Sequence, residues 1–108
     1  MSGSEEPVWS LVMFDLPVKT KPQRRAATDF RHLLLDHGYQ MAQLSVYVRF
    51  SPSVNSILPC IRRIKHNLPT GGEVRILTIT DRQWATAIRY SNGCIEAPEE
   101  EPLQLTIF

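Results

Sequence analysis

At 108 residues, 43% of them hydrophobic and 21% charged, the chain has the composition of one ordinary globular domain with a modest core. It holds no apolar run near the roughly 20 residues that span a bilayer, and MSGSEEP lacks signal-peptide character, so a cytoplasmic protein with no membrane partner is expected. The net charge of +1 hides an asymmetry: all twelve Lys and Arg lie between Lys19 and Arg89, and the stretch from Pro7 to Gly93 holds only five acids, a net of +7. Such a body suits nucleic acid, and it equally suits a plain solvated exterior. Cys60 and Cys94, without a CxxC partner, read as free thiols of a reducing compartment.

Residues 1–7 are small, polar and acidic, and read as a disordered lead-in. VWSLVMFDLP follows, and the chain is organised around it. Val8, Val12 and Phe14 alternate with Trp9, Leu11 and Met13, so both faces are apolar and the strand belongs in the middle of a sheet. Asp15 falls at its C-terminal end, where the apolar cover stops, and Pro17 blocks further pairing. Thr20 can cap a helix and Pro22 suits its first turn. From Pro22 to His37 the apolar positions Ala26, Ala27, Phe30, Leu33 and Leu34 are spaced three and four apart, which predicts an amphipathic helix ended by Gly38.

Tyr39 to Phe50 reads as one strand. Ala42, Leu44, Val46, Val48 and Phe50 form its core face, and Gln43, Ser45, Tyr47 and Arg49 its polar face. That polar face is either solvated or packed on a second copy, and the size of Tyr47 favours a homodimer interface. A second helix takes Val54, Ile57, Leu58, Ile61 and Ile64 inward, with Pro59 expected to kink it or delay its start. LPTGG is a loop, EVRILTIT a strand, DRQW a turn, and ATAIRY a weaker strand ending at SNG. An acidic linker over 94–102 then leads to a terminal strand, LQLTIF, over 103–108, able to pair with a sheet edge of its own chain or a neighbour's. The fold class is α+β: a ferredoxin-like β-α-β-β-α-β domain over 8–93 with an additional C-terminal strand, although no tight hairpin is visible between Phe50 and Val54.

Three fragments in order, FDLP, RRAATDFRHLLLDHG and QLSVYVR, resemble the CRISPR-associated Cas-two family through Phe14, Asp15, Arg25, Phe30, Gly38, Gln43, Ser45, Val46 and Tyr47. The FDLP wording is similar to the smaller forms that accompany type II systems. The resemblance covers the first half well and is weak beyond Gly72. It implies a symmetric homodimer with sheets face to face and an exchanged C-terminal strand. It further implies a bridge between copies of the Cas-one integrase, and capture of duplex DNA for insertion into the CRISPR array. Family members are also described as metal-dependent nucleases acting on single-stranded RNA or duplex DNA, with the family's aspartate at Asp15.

Mg²⁺ can stabilise charge at a phosphate and activate water, and it commonly takes one or two carboxylates plus waters. Asp15 is therefore the candidate catalytic and Mg²⁺-binding residue. One Asp15 per chain is a thin ligand set, which a dimer axis between two copies would double. The bland role is a loop cap that accepts backbone N–H bonds. Lys19, Lys21, Arg24, Arg25, Arg31, Arg62, Arg63 and Lys65 are the candidate nucleic-acid contacts, to backbone and shape and not to bases. His32, His37 and His66 show no ligand spacing, and Gly71-Gly72 lacks the Lys of a phosphate loop. Trp9 and Trp84 read as core or interface. The leading function is a CRISPR adaptation scaffold. The alternatives are a stand-alone, toxin-like Mg²⁺-dependent endoribonuclease of single-stranded RNA, and a ferredoxin-like regulatory domain that binds a small ligand.

Overall fold

The first apolar strand lies at the centre of the sheet, as its two apolar faces require. The computed structural model describes residues 6–96. In chain order these form β1 (Val8–Asp15), α1 (Lys21–Asp36), β2 (Gln40–Gln43), β3 (Val46–Ser51), α2 (Val54–Lys65), β4 (Glu73–Thr80), α3 (Asp81–Ala85), β5 (Arg89–Ser91) and β6 (Cys94–Glu96). The main sheet has the order β2-β3-β1-β4, every neighbour antiparallel. That is the ferredoxin-like arrangement, with β5 and β6 forming a separate small hairpin.

Both long helices cover one face of the sheet. Phe30 and Leu34 of α1 and Ile57, Cys60 and Ile64 of α2 share a buried core with Val8, Val12, Phe14, Tyr39 and Tyr47. Each helix starts on a reciprocal cap. Thr20 accepts from the Gln23 N–H while the Gln23 side chain accepts from the Thr20 N–H, and Ser53 and Ser56 play the same parts for α2. Pro59 lies within α2, which nonetheless begins at Val54 as one continuous element. The missing Pro59 donor is set on an exposed part of the helix, where water can satisfy the freed carbonyl.

Three expectations are corrected. First, the stretch from Tyr39 to Phe50 is a hairpin and not one strand: Gln43 opposes Val46 across Leu44 and Ser45, and Ser45 takes φ 65°. This hairpin supplies the β2–β3 pair of the ferredoxin-like plan, seven residues ahead of where one was sought between Phe50 and Val54. Leu44, assigned to the core, is exposed at the turn.

Second, the faces of β3 are reversed. Val12 opposes Tyr47 and Ser10 opposes Arg49, so Tyr47 and Arg49 point under the helices and leave the proposed dimer face. Tyr47 is buried against Phe14, ring centroids 5.6 Å apart, and Arg49 donates to the His37 carbonyl at 2.7 Å. Val46, Val48 and Phe50 lie on the other face with Trp9, Leu11 and Met13.

Third, Cys94–Glu96, assigned to the linker, pairs with β5 as β6. Asn92 and Gly93 turn this hairpin with φ 55° and 81°, the left-handed pair that a two-residue hairpin loop demands. The remainder of the linker and the LQLTIF strand lie outside the described residues, as does the lead-in before Glu6.

The face away from the helices is partly covered by the segment after β4. Trp84 of α3 stacks on Trp9 with centroids 5.0 Å apart, and Trp9 Nε1 donates to Asp81 at 2.7 Å. Both tryptophans are thus packed together, in keeping with a core assignment. Between this flap and the sheet runs a groove of about 510 Å³ lined by Leu11, Met13, Val46, Trp84, Ile88 and Tyr90 among others. No helix among the described residues is long and apolar enough to cross a membrane.

Candidate functional site

Topology gathers the charged candidates at one end of the sheet. α1 starts six residues beyond Asp15, and α2 runs back so that its last turn leads, through residues 66–72, to the start of β4. The loops at this end are in contact. A Cβ at Gly72 would collide with the Asp15 carbonyl oxygen and approach Leu16 and Pro17, and a hollow formed by Ala26, Asp29, Phe30 and Leu33 of α1 is closed by Asn67 and Pro69.

Asp15 is exposed. It is the last residue of β1, preceded by Phe14, whose N–H donates to the Ser45 carbonyl at 3.0 Å. The odd-numbered positions of β1 face away from the helices, so the Asp15 carboxylate shares that side with Met13 and Leu11. The register of β1 against β4 sets Glu73 directly opposite Asp15, and both line a shallow hollow of about 240 Å³ with Met13, Phe14 and Arg75. Nothing local to EVRILTIT marks its first residue; the neighbourhood of Glu73 and Asp15 follows from the long-range pairing of β1 with β4.

Lys19, Lys21, Arg24, Arg25, Arg62, Arg63 and Lys65 are all exposed. Arg24 is the most firmly placed, with one guanidinium nitrogen donating to the carbonyls of Val18 and Lys19 at 3.2 and 3.1 Å. It folds the loop after Asp15 back on α1 and so keeps Lys19 and Lys21 beside the helix start. Arg62, Arg63 and Lys65 occupy the last turn of α2, where the helix dipole favours cations. Arg31 differs: it is half-buried, with its guanidinium 5.8 Å from the centroid of the Phe14 ring, and serves packing first. Of the interface candidates, Gln43 lines the groove on the open face and Ser45 lies in the hairpin turn beside Phe14.

A polar cluster beneath the helices lies apart from this end. Tyr39 and Ser10 hydroxyls meet at 2.8 Å, and the Cys60 thiol donates to the His37 carbonyl at 3.6 Å. Burial pushes the Tyr39 phenol up to about 12 against the opposing pull of the Ser10 hydrogen bond.

The chemistry of the strand end suits a hard cation. Two carboxylates on one face offer oxygen ligands of the kind Mg²⁺ accepts, with water completing the shell. No group of three or more His, Cys, Asp or Glu stands together among the described residues, which does not fit the four protein ligands of a structural zinc site.

Comparison with known proteins agrees with the fold. The family model of CRISPR associated protein Cas2 matches residues 8–87. A CRISPR-associated endoribonuclease Cas2 of Paracidovorax avenae is 44% identical over 101 residues, covering 94% of each chain. One of Acidovorax ebreus is 47% identical over 76 residues, covering 70% of this chain and 74% of that one. The crystal structure of Cas2 from Streptococcus pyogenes superimposes with a TM-score of 0.54 over 70% of this chain and 89% of that chain, at 21% identity, a likeness of fold. On the match across residues 8–87 and the extended identity to these relatives, the chain belongs to the Cas2 family of CRISPR-associated proteins.

Proposed function

We propose that this chain is a CRISPR adaptation protein, a homodimeric scaffold that holds duplex DNA by its phosphates and works with the Cas-one integrase in spacer acquisition. The observation that carries this reading is the convergence of Lys19, Lys21, Arg24, Arg25, Arg62, Arg63 and Lys65, all exposed, at one end of a body with a net charge of +7. A duplex offers one phosphate charge about every 1.7 Å, and lysines and arginines on helix surfaces meet phosphates without reading bases. A second copy has an apolar surface to meet on the open face. Leu77, Ile88 and Tyr90 are exposed there at 45, 73 and 66%, beside the groove that contains Leu11, Met13 and Val46. This replaces Tyr47 and Arg49 as the proposed contact.

A metal-dependent endoribonuclease is the second reading, favoured by the exposed carboxylate at the end of β1. The curated relatives named above carry that activity in their names. In this reading Asp15 would hold Mg²⁺, which when bound supplies charge stabilisation at a phosphate and an activated water. The exposed bases would orient the RNA strand.

The test is a salt titration of duplex binding, with and without the purified integrase and Mg²⁺. The scaffold reading expects log affinity to fall linearly with log salt and binding to tighten with the partner. Absent duplex binding would overturn it. Asp15→Asn separates the two readings: a scaffold retains integration, whereas a ribonuclease loses cleavage of single-stranded RNA.

A further inference from the structure

The bases gathered at the Asp15 end of the sheet are not balanced by acids around them. Lys19, Lys21, Arg25, Arg62, Arg63 and Lys65 are all exposed, and among the described residues none of them forms an ion pair. Like charges held together repel one another and draw in anions. The chain carries anions of its own: Glu96, Glu99, Glu100 and Glu101 follow Gly93 with no Lys or Arg among or after them.

The described backbone leads this acidic stretch towards the same end. After α3, Ala87 to Tyr90 run over the open face and line the groove together with Met13, Gln43 and Val46, which mark the Asp15 end of β1, β2 and β3. β6 returns beside β5, with Glu96 opposite Arg89. Glu99 to Glu101 lie three to five residues further on, within about 10–18 Å of extended chain. Extended, they carry one charge about every 3.3–3.6 Å, close to the roughly 3.4 Å between phosphates along one DNA strand.

Resting on the reading that the basic end holds duplex DNA, we infer that the Glu99–Glu101 segment of this chain docks on that end and competes with the duplex, an autoinhibitory contact. Its carboxylates take the places of phosphates on the bases at the start of α1 and in the last turn of α2, and the duplex displaces them when it binds. Tethering holds the segment at a local concentration on the order of millimolar, so the competition is independent of protein concentration. Exchanging one anion for another releases fewer counterions than covering bare bases does, so the contact also flattens the salt dependence of binding.

The experiment follows the anisotropy of a labelled duplex across a salt series for the full chain, for the combined variant E99Q/E100Q/E101Q, and for E5Q/E6Q. The last removes acids ahead of Val8, a strand's length of about 26 Å from Asp15 and beyond the Debye length of about 10 Å at 0.1 M salt. The expected result at low salt is at least about five-fold tighter binding by E99Q/E100Q/E101Q, with a steeper fall of log affinity against log salt, and less than about a two-fold change in E5Q/E6Q. Carbodiimide crosslinking of the wild type, read by mass spectrometry, should join the Glu99–Glu101 segment to Lys19, Lys21 or Lys65, and saturating duplex should suppress those links. Equal affinity and slope in the wild type and E99Q/E100Q/E101Q, equal tightening in the two variants, or crosslinks that are absent or persist under duplex overturns the inference and leaves the basic end standing as a duplex site. No duplex binding by either the wild type or E99Q/E100Q/E101Q overturns the duplex reading itself and the inference with it.

Discussion

The Tyr39 phenol and the Ser10 hydroxyl meet at 2.8 Å beneath the helices, both residues essentially closed to solvent. Their bond ties the start of β2 to the centre of β1. Burial raises the phenol from 10.0 to about 12, so between those values the unfolded chain has released a proton that the folded chain still holds. Stability is therefore full below pH 10 and falls as the pH rises towards 12, by on the order of 2–3 kcal/mol. Tyr39→Phe should cost about 1–2 kcal/mol at pH 7 by leaving Ser10 unpaired, and should remove this alkaline slope. Urea unfolding of both proteins at pH 8 to 11.5 checks it, and parallel slopes would refute it.

The flap over the open face hangs on aromatic contact. Trp84 stacks on Trp9 at 5.0 Å and Trp9 meets Phe50 edge-on at 5.5 Å, while the Asp81 carboxylate accepts from the Trp9 indole. Trp84→Ala removes a stacked pair worth about 0.5–1.5 kcal/mol beyond its buried area. The expected outcome is a lower denaturation midpoint together with a red-shifted emission from Trp9, which loses its cover. Unchanged Trp9 emission would show that the stack does not shield it.

The central strand, both long helices, the Thr20 cap of the first and the exposed end at Asp15 were legible because each rests on a local pattern: two apolar faces, a three-and-four spacing, a Thr ahead of a Pro. The hairpin at Leu44 and Ser45 was not. QLSV contains no Gly, Asn or Pro, and Ser45 adopts its positive φ on tertiary instruction, its carbonyl accepting from Phe14. With the turn missed, strict alternation favoured the wrong face for Tyr47, because Val46, Val48 and Phe50 are apolar and do meet apolar partners, on the side opposite the helices. The pairing of Glu73 with Asp15 was illegible for a related reason: it is a register across 58 positions of chain, and no window of sequence contains that.

The reversal of β3 makes a prediction about assembly. Ile88 is largely exposed on the open side, and Tyr47 is buried on the helix side. Ile88→Asp should leave the fold intact and weaken self-association by at least about ten-fold, or 1.4 kcal/mol. Tyr47→Ala should instead lose about 3–5 kcal/mol of folding stability, as truncations of large core aromatics do. Sedimentation equilibrium paired with thermal melts separates the two effects. An Ile88→Asp protein that associates like the wild type would place the interface elsewhere.

Gly72 links the fold to the candidate site most directly. Its φ of 75° lies in the left-handed region, and an added Cβ would strike the Asp15 carbonyl oxygen while standing 3.0 Å from Leu16 Cα and Pro17 Cδ. These are backbone and ring atoms that cannot swing aside, so Gly72→Ala combines a conformational penalty with a steric one, at least about 1–3 kcal/mol in total. Relief must come from moving the start of β4 away from the end of β1, which separates Glu73 from Asp15. Gly71 also has a positive φ, but its nearest neighbour is a Pro17 side-chain atom at 3.6 Å, so Gly71→Ala carries the conformational penalty alone. The two variants should thus differ in degree: Gly72→Ala loses clearly more stability than Gly71→Ala. Denaturant unfolding of both checks this, and equal losses would show that the approach of the turn to Asp15 carries no steric cost.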